Sequence, residues 1–150
     1  MWMSIEVRKI LAPIDFSDNS QAILDWAAHL ALEHESQLLL LHAYHLPVEF
    51  QQLEGAYLPA DFWASVRTEA ETALDRSAQT LRDQGVQVGT IVCEGYAATV
   101  IVEEAERRGV DLIVIGTQGR SGLKHLLLGS IAERVVQKAH CPVLTVRTGE

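Results

Sequence analysis

Gly116-Thr117-Gln118-Gly119-Arg120-Ser121-Gly122-Leu123-Lys124-His125-Leu126-Leu127-Leu128-Gly129-Ser130 separates two segments of different character. Ahead of it, Val110 to Ile115 is an apolar run rich in β-branched residues. Such a run predicts a parallel strand buried on both faces. Behind it, Ile131 to Ala139 predicts a short helix, with Ser130 where that helix begins. The linking stretch carries Gly116, Gly119, Gly122 and Gly129. Glycine has no Cβ and tolerates positive φ, so the backbone N–H groups of such a loop can approach a ligand closely. A helix starting at the end of the loop adds unpaired donors and the positive end of its dipole. Strand, glycine loop and helix start together form an anion site, and phosphate is the commonest anion of that kind.

Working outward, strand and helix patterns alternate along the chain. Val7 to Ile14 predicts the first strand, closed by Asp15. Ser17 is the expected N-cap of a helix to about His34, with Asp18 in its first turn and Ile23, Leu24, Ala27, Leu30 and Ala31 inward. Gln37 to Tyr44 predicts the second strand, whose Leu38 to Leu41 run points to burial on both faces. Leu46 to Ala60 has no clear period, carries Pro47, Gly55 and Pro59, and reads as a loop. Asp61 is the expected N-cap of a long helix to Gln84, with Val66, Ala70, Ala73, Leu74 and Leu81 inward and Gly85 as its stop. Val86 to Cys93 predicts a third strand near a sheet edge, Tyr96 to Arg108 a helix stopped by Gly109, and Pro142 to Arg147 a fifth strand. Alternation of this kind specifies an α/β fold with a parallel sheet and right-handed crossovers. No linker, internal repeat or low-complexity segment divides residues 1–150, so one domain is expected.

Composition narrows the function. At 150 residues, 48% hydrophobic and 21% charged, the chain can bury a sizeable core and is not of the disordered class. No apolar run approaches a membrane span, and the first ten residues lack the apolar core of a signal peptide, so a cytoplasmic protein is expected. A net charge of −8 argues against nucleic acid as a general partner, though not against a nucleotide held by local donors. Cys93 and Cys141 have no CxxC spacing and are expected as reduced, partly buried thiols.

The loop matches neither GxxxxGK[ST] nor GxGxxG. Written as Gly116-x2-Gly119-x9-Gly129-Ser130, it resembles the nucleotide loop of the universal stress protein family, in the subgroup that binds ATP. Lys9 to Ser17 (KILAPIDFS) resembles the family's first strand and turn, Leu38 to Ala43 its second strand, and Cys141 to Val146 its last. The resemblance implies a three-layer α/β/α sandwich, Rossmann-like and of the adenine nucleotide alpha hydrolase-like kind, with five parallel strands in the order 3-2-1-4-5. In that order strands one and four flank the topological switch, outside whose carboxyl ends ligands bind. Asp15 and Gly116 fall at those two ends.

Each candidate residue also has a plainer role. Asp15 is either a turn former or, as the resemblance implies, a contact to the adenosine part of the nucleotide. Pro13, Ile14 and Ile115 line the same side or belong to the core. Ser130 with Glu133 reads as a capping box, yet a capping serine can still offer its O–H to phosphate, and the N–H groups of Ser130 and Ile131 point at a bound anion regardless. Gly116, Gly119 and Gly129 serve phosphate contact or tight turns, and Gly122 is left as a turn. Arg120 is a candidate phosphate partner, as are Lys124 and His125 more weakly; surface solvation competes for all three. The resemblance places the backbone of Ala43 against adenine. His42 and His45 point to opposite faces of a strand and suggest no metal site.

The expected function is that of an adenine-nucleotide-binding stress-response protein, a sensor or regulator in which ATP (or ADP or AMP) orders the Gly116 to Ser130 loop for an unknown regulatory protein partner. Mg or Mn would accompany the phosphates. No residue stands out as catalytic, and no Walker lysine is present. The alternatives are a slow ATPase or phosphoryl or nucleotidyl transferase, and an interaction module that binds no nucleotide. The apolar strand 142–147 falls at a sheet edge, and the resemblance implies a homodimer through it.

Overall fold

The computed structural model describes residues 3–45, 60–118 and 128–148. In chain order these form β1 (Lys9–Pro13), α1 (Ser20–His34), β2 (Gln37–Tyr44), α2 (Ala60–Asp83), β3 (Gln87–Glu94), α3 (Ala97–Arg107), β4 (Leu112–Gly116), α4 (Ser130–Lys138) and β5 (Val143–Val146). The strands make one parallel sheet in the order β3-β2-β1-β4-β5. Register pairs Leu11 with Leu39, Leu38 with Val88, Ile10 with Leu112 and Gly116 with Val146.

Unbroken apolar strands exist here because both sheet faces are covered. Successive strand side chains point to opposite faces. Ile10, Ala12, Leu38, Leu40 and Val114 pack with Ile23, Leu24, Ala27 and Ala31 of α1 and Leu74, Ala78 and Leu81 of α2. Leu11, Leu39, Leu41, Ile113 and Ile115 turn the other way, onto Ala98, Ile101 and Ala105 of α3 and Ala132 and Val135 of α4. The result is a three-layer sandwich, and the expected inward faces hold. Ile23, Leu24, Ala27, Ala31, Ala70, Leu74 and Leu81 are buried, with Leu30, Val66 and Ala73 half-buried beside them.

Helix stops follow backbone chemistry. Gly85 takes φ +93 after α2 and Gly109 takes φ +65 after α3, a region that costs other residues a Cβ clash. The following N–H groups fold back, Val86 to Leu81 O at 3.1 Å and Val110 to Ala105 O at 2.9 Å. That bond retains Val110 in the helix stop, so β4 begins at Leu112, two residues later than its apolar run. The carboxylate of Asp111 meanwhile accepts from the N–H groups of Arg8 and Lys9 at 2.8 and 3.0 Å, fixing where β1 enters the sheet.

Several expected helix starts are corrected. Helix α1 starts at Ser20 with Asn19 as N-cap, not at Ser17, and has no acidic residue in its first turn, which leaves Asp18 outside it. The Ser17 N–H is instead taken by the Asp15 carboxylate at 2.9 Å, and the Ser17 C=O accepts from the Ser20 N–H at 3.0 Å. That local turn uses the residues a cap would have needed. Asp61 lies inside the first turn of α2, which already begins at Ala60. The loop expected over 46–59 lies outside the described residues.

Candidate functional site

The ends of β1 and β4 part at the centre of the sheet because α1 leaves β1 on one face while the chain leaving β4 returns as α4 on the other. Between them opens a cavity of about 290 Å³. Pro13, Ile14 and Asp15 reach it from the end of β1, and Ala43 from β2. Ile115 and Gly116 come from β4, and Gly129, Ser130 and Ile131 from the start of α4. Residues more than a hundred positions apart thus share one wall. Gly119 and Arg120, like Lys124 and His125, lie outside the described residues.

The cavity has two chemically distinct ends. Leu41, Ala43, Ile101 and Ile115 make an apolar floor suited to a flat, weakly solvated group. Opposite stands the N-terminus of α4, whose first-turn N–H groups have no partner within the helix. Among the described residues that line the cavity no lysine or arginine occurs, so what these residues offer an anion is backbone N–H and the helix dipole.

Asp15 is positioned with care. Its Oδ1 accepts from the Ser17 N–H at 2.9 Å and from the Ser20 hydroxyl at 3.2 Å, while the Ile14 N–H donates to Leu41 O at 2.8 Å. The turn and the strand end are therefore both tied down, and Asp15 lines the cavity from a fixed base. Its structural role is plain from these bonds.

Ser130 is the first helical residue, not the cap. Gly129 occupies the cap position with φ −66 and ψ 162, the Glu133 N–H donates to Gly129 O at 2.9 Å, and no side-chain cap bond is made. The expected capping box is corrected accordingly, and the Ser130 hydroxyl is not engaged in it. The glycines also work differently from the expectation of positive φ. Gly116 and Gly129 both keep ordinary φ, and what Gly116 supplies is space, since a Cβ there would meet Ile23 Cδ1 at 2.9 Å.

Thr117 escaped the sequence reading although it sits between strand and loop. It is buried, its N–H donates to Val146 O at 2.9 Å, and its carbonyl accepts from the Gly129 N–H. That last bond closes the two ends of the intervening loop and pins the start of α4 beside the end of β4. Leu41, Ile101 and Ala97, also in the lining, were hidden among core and helix-start residues; only the sheet order could have singled them out.

Other reactive groups stand apart from this chemistry. Cys93 and Cys141 are free and half-buried, and burial pushes both thiols up, with Glu104 raising Cys93 and Asp111 raising Cys141 further. Neither is an activated nucleophile. His42 turns its Nδ1 to Ile14 O, and His45 stacks against Tyr96. Among the described residues no group of three or more His, Cys, Asp or Glu could hold a metal ion, and no helix is long and apolar enough to cross a membrane.

Comparison with known proteins places this architecture. The universal stress protein of Bacillus subtilis called YxiE is 39% identical over 145 residues, covering 93% of this chain and 98% of its own. The solved structure of MJ0577, a universal stress protein of Methanocaldococcus jannaschii, superposes with a TM-score of 0.84 at 30% identity, over 97% of this chain and 99% of that one. A universal stress protein of Archaeoglobus fulgidus, solved in complex with dAMP, shares the fold at a TM-score of 0.66 and 22% identity, over 94% and 98% of the two chains. The sequence model of the universal stress protein family matches residues 6–147. With that match spanning every element described above, the chain belongs to the universal stress protein family.

Proposed function

We propose that this protein binds an adenine nucleotide, ATP foremost, in the cavity between β1, β4 and α4, and acts as a nucleotide-dependent sensor or regulator in stress response. The observation that carries this reading is the pairing of an apolar floor with a helix N-terminus in one cavity at the topological switch. Adenine would lie on Leu41, Ala43 and Ile115, with Asp15 accepting from adenosine. Phosphates would meet the N–H groups of Ser130 and Ile131 and the Ser130 hydroxyl, with Gly116, Gly119 and Gly129 allowing close approach and Arg120 adding charge. The dAMP complex of the Archaeoglobus fulgidus protein lends support through the shared fold. A divalent cation such as Mg or Mn would ride on the phosphates, since the described residues supply no ligand cluster for one. Two free thiols fit a reducing cytoplasm.

Regulation in this reading is occupancy. ATP shifts the protein toward an ordered surface only through contacts it makes better in that state, and a partner protein, or the second copy of a homodimer, reads the surface. No described residue is placed as a general base, so catalysis is not part of the proposal.

Denaturing freshly purified protein and identifying the released small molecules by chromatography with mass detection tests it. About one adenine nucleotide per chain is expected, still intact after hours. At a ligand concentration of 100 Kd, added ATP should raise stability by about 2.7 kcal/mol, roughly 5–10 °C in melting temperature for a chain of this size. An empty protein whose melting temperature ignores ATP overturns the proposal in favour of a binding-deficient interaction module. Conversion of ATP to ADP with turnover would overturn the sensor reading in favour of an ATPase.

A further inference from the structure

Beyond the mouth of the cavity lies a second groove of about 520 Å³, between the start of α3 and the outer face of α4. Ala97, Ser130 and Ile131 line both spaces, so the two are continuous at the first turn of α4. A chain of phosphates seated on that turn would leave the cavity into this groove.

What the groove offers is unlike the cavity. The rings of His45 and Tyr96 lie 4.9 Å apart at a tilt of 39°, and Tyr96 remains 61% exposed, which leaves aromatic surface open for a further ring. Tyr96 holds the N-cap position of α3 in extended conformation without a side-chain cap bond, so the helix start does not use its phenol. Arg134 lies one turn beyond Ser130 on the groove wall and makes no ion pair or hydrogen bond with any described residue. Glu133 lines the same groove and can accept from a hydroxyl or an amino group. An open aromatic ring, an unpaired guanidinium and a carboxylate match a base, phosphates and a ribose respectively. The first cavity, at about 290 Å³, sits at the small end of the roughly 300–1,000 Å³ of ligand sites, so a ligand larger than one nucleoside needs both spaces.

We propose that this groove is a second subsite of the nucleotide site and takes the distal nucleoside of a dinucleoside polyphosphate, its base stacked on Tyr96 and its outer phosphates drawn to Arg134. This rests on the nucleotide reading of the first cavity. A two-headed nucleotide would then be held more tightly than ATP at the same site, because ATP leaves the groove unused.

Calorimetric titration of the full chain with ATP and with diadenosine tetraphosphate, at one ionic strength, decides the matter. Diadenosine tetraphosphate should bind at least about tenfold tighter than ATP, the gain expected of one stacked base. Tyr96→Ala should abolish that gain while leaving ATP affinity within about twofold. Tyr96→Phe should keep the gain, and Arg134→Gln should cut diadenosine tetraphosphate binding more than ATP binding. If ATP binds and diadenosine tetraphosphate binds no tighter, the second subsite is overturned and the nucleotide reading stands. If the gain survives Tyr96→Ala, the second base lies elsewhere and the proposal fails. If neither ligand binds, both readings fall together.

Discussion

His42 Nδ1 lies 2.7 Å from the carbonyl oxygen of Ile14, linking β2 to the end of β1. A carbonyl only accepts, so this nitrogen carries the proton. The same ring packs on Phe16 with centroids 4.5 Å apart, and Phe16 holds φ +61, a left-handed conformation costing a non-glycine residue on the order of 1–2 kcal/mol. Leu41 and Ala43 line the cavity while His42, between them, turns to the opposite face. One side chain behind the sheet therefore holds the residues on both sides of Asp15. His42→Phe keeps a ring against Phe16 but loses the donor, and should cost about 1–2 kcal/mol in urea unfolding together with about tenfold in ATP affinity. His42→Asn, which keeps an N–H at similar reach but gives up the ring contact with Phe16, should recover more of the ATP affinity than of the stability. Unaltered ATP binding by the Phe variant would refute this role.

Asp15 carries a structural and a ligand role that substitutions can separate. Asparagine retains one carbonyl oxygen for the Ser17 N–H and Ser20 hydroxyl, so Asp15→Asn should unfold within about 1 kcal/mol of the parent. Its amide also places a donor where adenosine needs an acceptor, and ATP affinity should drop by about tenfold or more. Asp15→Ala should lose both, with about 1–2 kcal/mol of stability. Equal ATP affinity in the parent and Asp15→Asn would leave Asp15 as a turn former only.

The fold was legible because burial on both faces writes itself into sequence. Leu38 to Leu41 and Leu112 to Ile115 have no polar alternation, which a half-solvated strand would need, and helical spacing marked the faces of α1 and α2. Caps were less legible. Ser17 looks like an N-cap in one dimension, but its N–H goes to the Asp15 carboxylate and its C=O to the Ser20 N–H, a turn that puts Asn19 at the cap position instead. Ser130 and Glu133 spell a capping box, yet Gly129 in extended conformation reaches the cap position one residue sooner. Of the residues that line the cavity, Asp15, Gly116 and Gly129 were among those the sequence marked. Leu41, Ile101 and Ala97 were not, since an apolar residue beside a ligand and one in a core obey the same hydrophobic pattern.

Gly116 tests whether space, not backbone freedom, is what its position requires. A Cβ would stand 2.9 Å from Ile23 Cδ1, and Ile23 itself lines the cavity. Gly116→Ala should therefore cost about 1–3 kcal/mol by overpacking and weaken ATP binding as Ile23 is displaced. Ile23→Val removes the clashing methyl at a cost of about 0.5–1.5 kcal/mol by itself. Combined, the two changes should cost less than their separate effects added, a coupling of about 0.5 kcal/mol or more in a double-mutant cycle. Strict additivity would mean that Gly116 is held by something other than Ile23.

Glu104 gives the acid limb of stability a specific contributor. Burial pushes its carboxyl up, but hydrogen bonds and charge from Arg107 and Arg108, at 2.8 and 2.7 Å, outweigh it and hold the group below its ordinary value. A carboxyl depressed in the folded state stabilises above its unfolded pKa and loses that contribution as pH falls through the folded one. Glu104→Gln should accordingly cost about 0.2–1 kcal/mol at pH 7. The difference from the parent should shrink toward zero as the pH is lowered below the ordinary carboxylate range. A gap that persists undiminished in acid would point to packing and not to charge.

Among the described residues, strand β5 closes the sheet on one side and pairs with β4 alone. A strand at an edge presents a row of unpaired backbone groups, and Thr145 faces solvent there while Leu144 packs toward the core. On α4, the neighbour of β5, Val136 is 46% exposed, so apolar surface continues past the edge. Pairing β5 with the same strand of a second copy about a two-fold axis would satisfy the backbone and cover that surface at once. Sedimentation velocity at micromolar concentration should then report twice the chain mass of 16.6 kDa. Val136→Glu places like charges near that axis and should shift the protein toward monomer with its melting temperature at low concentration little changed. A wild-type protein that sediments as a monomer, with or without ATP, would rule the edge pairing out.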